Sequence, residues 1–220
     1  MRKNKIRISA LVLVSFFAFI SLYASSSGGF YKIKLNSSTS RIWIEGDSTM
    51  HAYKSTSSVT DMSTRALFKV KPDDSLLAVI TEKKYAPFMR DLILNLIVKL
   101  NVKNFHSSTP GFDSKFYEAI KADNYPDIVF KPTKYTIEKD SSSSNTFLIK
   151  SEGTVRIAEK EKNITVITAA RIQDDVVTLY GQKDLLMTDF GLTPPELLFV
   201  KAYDKVTVKW NLSLNLIPES

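Results

Sequence analysis

The sequence predicts an all-β domain, an antiparallel barrel of about eight strands that carries one amphipathic α-helix. Three observations lead there. Long runs alternate apolar and polar residues with a period of two, most clearly Leu92 to Lys103 and Val206 to Leu216. A single stretch, Phe112 to Phe130, contains the soluble helical spacing, and the strand-like runs are joined mostly by short turns. Strands of this length suit a barrel better than a sandwich of short ones, and a one-sided apolar face is the mark of antiparallel sheet.

The chain has 220 residues, enough for one domain with a sizeable core. It begins with a basic stretch, continues with an apolar run from Ile8 to Ala24, and then reads Ser25-Ser26-Ser27-Gly28-Gly29, the three-part pattern of a secretory signal. An apolar core of about 17 residues is at the short limit for crossing a bilayer, which favours removal over retention as an anchor. Ala24 and Ser26 are the small residues that a cut after Ser26 requires. The expected organisation is a signal peptide over 1–26 and a barrel domain over 27–220, located in the periplasm or secreted. The formal charge is +7, but Arg2, Lys3, Lys5 and Arg7 leave with the signal. No basic run elsewhere is interleaved with aromatics, so nucleic-acid binding is discarded. With no cysteine, disulfides, thiol catalysis and lipid attachment through an N-terminal Cys are excluded.

After the signal, Tyr31 to Leu35 alternates weakly and Arg41 to Glu45 forms a short strand ending at Gly46. Ser55 to Ser63 is rich in Ser and Thr without clear alternation and reads as an exposed edge or loop. Arg65 to Val70 resumes strand character. The run Leu92, Leu94, Leu96, Val98, Leu100 and Val102 shares one strand face, opposite a mostly polar set. Asp113 or Ser114 is placed to cap the helix, whose apolar stripe is Phe112, Phe116, Ala119 and Ile120. Pro126 stops helical continuation and sends the chain into a strand through Ile128 and Phe130, which Pro132 interrupts. Lys139 to Asn145 is a hairpin tip. Phe147, Ile149, Ser151, Gly153, Val155 and Ile157 share a strand face, Glu159 to Asn163 is a charged turn, and strands cover Ile164 to Ile172 and Val176 to Met187. Asp189 to Pro195 cannot be regular structure. Val206, Val208, Trp210, Leu212, Leu214 and Leu216 face one way on the last strand.

Four stretches in this order resemble the YceI-like family of polyisoprenoid-binding proteins, secreted bacterial proteins with a lipocalin-like antiparallel barrel. Gly46-Asp47-Ser48-Thr49-Met50-His51 is similar to the family's Ser-Thr-x-His element. Phe112 to Phe130 resembles its helix followed by Tyr-Pro-x-Ile-x-Phe. Gly153-Thr154-Val155-Arg156-Ile157 is similar to Gly-x-Leu-x-Ile, and Asp189-Phe190-Gly191-Leu192 with Pro194 and Pro195 matches an Asp-Phe-Gly-Ile loop. The ordered set covers Tyr31 to Leu216. Two departures concern polar contacts: Glu159 to Asn163 replaces a Gly-x-Thr-Lys turn, and Ala52-Tyr53 stands where an acidic residue and Trp often follow the histidine.

The resemblance implies a non-enzymatic protein that binds, sequesters or carries an isoprenoid lipid, a polyprenyl phosphate or an isoprenoid quinone, inside a barrel tunnel. Alternation alone leaves a filled core and a hollow one equally open, because it reports burial and not emptiness. With the resemblance, Leu94, Leu96, Val98, Phe147, Ile149, Val208, Trp210 and Leu212 are the expected lining. Ser48 and His51 are either a hydrogen-bonded turn or a polar contact to a lipid head group at the mouth. The expected partner is an isoprenoid or other long-chain lipid, with transient membrane contact. No cofactor or metal is implied: the two histidines, His51 and His106, are far apart and lack cysteine or a His-x-x-x-His pair. No catalytic residue is assigned. The Asp189-Phe190-Gly191 tripeptide lacks every accompanying kinase motif, and nucleophile-elbow, P-loop and dinucleotide signatures are missing from the sequence. The alternatives are a structural or stress-related envelope protein with a filled barrel, and an enzyme of the same fold.

Overall fold

The computed structural model describes residues 29–58, 67–70, 97–141, 143, 145–173, 176–197 and 199–219. The elements in chain order are β1 (Gly29–Leu35), β2 (Arg41–Ser48), β3 (Tyr53–Ser58), β4 (Leu67–Val70), β5 (Val98–Asn101), β6 (Phe105–His106), α1 (Phe112–Ile120) and β7 (Asp127–Lys139). They continue with β8 (Thr146–Ile157), β9 (Lys160–Gln173), β10 (Val176–Leu186), β11 (Glu196–Leu197) and β12 (Val200–Glu219). Nine strands follow one another round an antiparallel wall in the order β5, β7, β8, β9, β10, β12, β2, β3, β6, making a nearly closed barrel with a lipocalin-like fold. The signal segment 1–26 and the lining candidates Leu94 and Leu96 lie outside the described residues.

The ninth strand comes from a correction to the long run ending at Lys103. That strand stops at Asn101, and Val102–Asn104 is a 3-10 turn. The Asn101 side chain accepts the Lys103 backbone N–H at 2.9 Å, and the Val102 N–H donates to Pro126 O at 2.8 Å. Val102 is therefore fully buried, and the chain crosses from one edge of the wall to the other. β5 pairs with β7, whereas β6, beginning with the next residue after the turn, pairs with β3. Three residues thus span the two ends of the sheet.

Local chemistry explains the other corrections. The helix starts at Gly111 in the left-handed conformation (φ 74) without a side-chain cap. Asp113 instead turns back to accept the Ser107 N–H at 2.8 Å, and the Ser114 hydroxyl donates to Gly111 O at 2.9 Å. Only a residue without a Cβ adopts that backbone freely, so glycine replaces the expected Asp or Ser at the cap. Pro132 does not end its strand, because the ladder shifts register between Pro132 and Lys134 and the bulge absorbs the missing donor. The charged turn shrinks to Ala158-Glu159, with Ala158 at φ 51, and β9 begins at Lys160. Within the segment 189–195, part is regular after all: Thr188–Phe190 is a 3-10 turn. Its first N–H and hydroxyl both donate to Asp204, at 2.8 and 2.6 Å, and these bonds hold the Asp204 carboxyl below its usual range.

Ser55 to Ser58 is not an exposed edge. It belongs to β3 between β2 and β6, and Ser55 and Ser57 are buried, at 1 % and 2 % exposure. Small hydroxyl side chains face inward there while Lys54 is exposed, so hydrophobicity does not report the alternation.

At one end of the barrel α1 supplies a packed floor. Ile120, at 6 % exposure, joins Val102, Val155, Ile157, Phe190 and Leu192, and Phe116 reaches into the neighbouring cluster of Ile42, Ile44, Phe105 and Leu212. Phe112, Phe116 and Phe105 lie ring against ring, with centroids about 6 Å apart. At the other end Phe147, Ala170 and Ile172 form a smaller cluster with Ile137, Ile149, Val177 and Leu179.

Candidate functional site: the inner wall of the barrel

Residues directly opposite in an antiparallel ladder point to the same face, so the registers define the inner wall row by row. One row reads Gly181, Trp210, Ile42, Ser57, Phe105 through β10, β12, β2, β3 and β6. The adjoining row towards α1 reads Lys183, Val208, Ile44, Ser55. Towards the far end Leu179 faces Leu212 on one side and Ala170 on the other, and Ala170 faces Phe147.

Of the residues singled out in the sequence, Phe147, Ile149, Val208, Trp210 and Leu212 share this inner wall. Val98 joins them through its pairing with Phe130, which itself faces the buried Val155. Their burial is graded. Phe147 and Leu212 are buried, at 2 % and 6 %, but Val98, Ile149, Val208 and Trp210 are only half-buried, as are Leu100, Val166 and Leu179 on the same face. Inward-facing apolar side chains in a solid core lose nearly all their accessible surface. These retain some, Ile149 and Leu179 where they pack on the Phe147 cluster, and Leu100, Val208 and Trp210 where they pack on the Ile42 cluster. The Trp210 indole lies over Gly181, where a Cβ would come within 2.5 Å of the ring.

Ser48, at the end of β2, is buried in phase with Ile42 and Ile44 and faces Ala202. The Ser48 hydroxyl donates to His51 O at 2.6 Å and accepts the His51 and Met50 N–H groups at 3.1 and 3.3 Å, which makes a turn between β2 and β3 at the α1 end. The His51 side chain is exposed. His106 is also exposed, with Nδ1 3.3 Å from Asp113 Oδ2 at the start of α1. Tyr53, beside that turn, packs on Phe112 at 4.8 Å, and burial, with a smaller contribution from the Asp47 charge, pushes its hydroxyl pKa up to about 12. Among the described residues no group of three His, Cys, Asp or Glu side chains converges as a metal site would require.

Three polar inner-wall residues, Lys183, Ser55 and Ser57, escaped the sequence reading. Lys183 stands in phase with Val177, Leu179, Gly181 and Leu185, and a charge at an apolar phase position was the available signal. Ser55 and Ser57 were hidden in a Ser/Thr-rich run.

No curated protein sequence matches this chain. Among solved structures, Burkholderia cenocepacia BcnA is similar at 13% identity, with a TM-score of 0.55, covering 82% of this chain and 99% of that one. A polyisoprenoid binding domain from Saccharophagus degradans implicated in plant cell wall breakdown is similar at 9% identity and a TM-score of 0.53, covering 85% of this chain and 98% of that one. At these identities the likeness speaks to fold. The YceI-like domain family matches residues 33–214, from β1 to late β12, and the chain belongs to that family.

Proposed function

We propose that the protein binds an isoprenoid lipid, a polyprenyl phosphate or an isoprenoid quinone, within the barrel, and sequesters or carries it in the cell envelope without catalysing a reaction. The observation that carries this reading is the incomplete burial of the inward-facing apolar residues Val98, Ile149, Leu179, Val208 and Trp210. Burying a five-carbon isoprenyl unit against such a wall yields about 4 kcal/mol before ordering costs, so a few units suffice for firm binding. Family membership and the similarity to a polyisoprenoid binding domain support the same class of ligand.

Transient contact with a membrane suits such a carrier. Met50 and Phe199, at 72 % and 94 % exposure, stand at adjacent tips joined by the Thr49 N–H to Lys201 O bond of 3.0 Å. In this reading the segment 1–26 directs export and is removed; N-terminal sequencing from the native host should find a start between Ser25 and Gly28, and an intact Met1 on a membrane-bound protein contradicts it. The experiment for the function is mass spectrometry of lipid extracted from natively purified protein. An isoprenoid in stoichiometric amount is expected. Protein that carries no lipid and takes none up contradicts the carrier role.

A further inference from the structure

The large apolar side chains left open to solvent gather at one end of the barrel. Among the described residues seven are exposed, and four of them, Met50, Leu186, Phe199 and Tyr203, lie where β2 passes into β3, β10 ends and β12 begins. Phe199 and Met50 are the most exposed of the seven. Single apolar residues scattered over a surface need no explanation, whereas a group of them at one end marks a contact.

The two tips that carry Met50 and Phe199 are fixed to each other. The Thr49 N–H donates to Lys201 O at 3.0 Å, and the Lys201 N–H donates back to the Thr49 hydroxyl oxygen at 3.1 Å. On one side the Ala202 N–H to Pro195 O bond of 3.0 Å closes the hairpin, and on the other the Ser48 hydroxyl holds the turn. Both side chains are thus presented together on a tied frame.

The charges nearby narrow the class of partner. Glu196 stands opposite Lys201 in the β11–β12 ladder, Lys205 pairs with Asp184 at 2.6 Å, and Lys54 pairs with Glu45 at 3.6 Å. Asp47 and Asp204 add negative charge and accept the Ser48 and Thr188 N–H groups, each at 2.8 Å. With each lysine here matched by an acid, attraction to an anionic surface is not the driving force. Two side chains on turn tips also fall well short of the roughly 800 Å² that each partner gives to a standard protein interface. A bilayer needs no matching surface: apolar side chains that protrude singly enter its interfacial layer and leave water.

We infer that Met50 and Phe199 dock this end of the barrel on a lipid bilayer by inserting into its interfacial layer, without dependence on lipid charge. This rests on the lipid-binding reading, which supplies the reason for contact, because a chain of isoprenyl units resides in membranes and not in water. It adds the surface, the partner and the force.

The test is flotation of protein purified from its native host with vesicles of phosphatidylcholine, alone and mixed with phosphatidylglycerol. The unaltered protein should bind both within about threefold, and raising salt from about 50 to 500 mM should change binding by no more than that. Phe199→Ser and Met50→Ser should each weaken binding about tenfold or more, with the circular dichroism of the sheet retained. Phe199→Trp should keep it, and Lys201→Gln should leave it within about twofold. Isoprenoid presented in detergent should load the Phe199→Ser protein as it loads the unaltered one. Binding confined to phosphatidylglycerol vesicles, binding lost in salt, or binding that survives both serine substitutions overturns the docking inference. Unaltered protein that takes up isoprenoid yet ignores vesicles overturns it in favour of a protein partner and leaves the lipid-binding reading intact. Vesicle binding by protein that takes up no isoprenoid overturns that reading alone.

Discussion

Trp210 covers Gly181 across the β10–β12 ladder, and the space that a side chain at position 181 would need is filled from two sides. A Cβ would lie 2.5 Å from the indole Cζ2 and 2.7 Å from the Ile167 carbonyl oxygen. The ring can move, but the Ile167 oxygen belongs to backbone where the β9–β10 ladder is ending. Gly181→Ala should therefore destabilise the protein by about 1–3 kcal/mol and shift the tryptophan emission. Urea unfolding followed at the tryptophan band checks both; an unchanged midpoint and spectrum would mean that the indole does not rest on Gly181.

Ile120 ties α1 to the floor of the barrel through Val102, Val155 and Phe190. A carboxylate there would be buried without a counter-charge, so Ile120→Asp should cost several kcal/mol, on the order of 3–5. The loss should appear as a lower urea midpoint with an unchanged slope, and a midpoint equal to that of the unaltered protein would detach the helix from the core.

Val208 is the lining position best suited to testing whether the lumen admits a chain. Val208→Trp adds bulk inside the wall without altering the polar surface, and it should reduce isoprenoid uptake about tenfold or more while the circular dichroism of the sheet is retained. Uptake measured by extraction and mass spectrometry decides the matter. Undiminished loading would place the lipid elsewhere.

Ser48 and His51 differ in what they contribute. The serine hydroxyl serves three hydrogen bonds in its turn, and Ser48→Ala should lower stability by about 1–2 kcal/mol. The His51 bonds in the same turn are made by its backbone, so His51→Ala should leave stability within about 0.5 kcal/mol and lipid affinity unchanged. A clear fall in lipid affinity for His51→Ala would return the imidazole to a head-group role.

Period-two alternation carried most of the barrel into view before any coordinates. Val206 to Leu216 and Phe147 to Ile157 could be assigned a face because apolar side chains recur at alternate positions, with only Ser151 and Gly153 interrupting the second run. The same signal failed for β3, where serines occupy the inner phase and only cross-strand pairing with Ile42 and Ile44 reveals their direction. It also failed at Val102, which fits the alternation but sits in a turn whose hydrogen bonds come from Pro126, far along the chain. Lys183 was legible as a phase violation, but its place on the inner wall depends on Val208 across the ladder and, beyond it, on Ile44. Neighbourhoods assembled from three strands are not written in any one segment.

The order of strands round the wall also constrains how the protein can be made. β12 is seamed to β10 on one side and to β2 on the other, with Arg41 opposite Asn211. The barrel therefore cannot shut until nearly the whole polypeptide has been synthesised, and β2 must wait with an open edge for a partner that arrives last. Pairings so distant in sequence are reached slowly, and unpaired edges are the usual starting points of aggregation. Prolonged exposure of the early strand edges before β12 arrives follows from the topology.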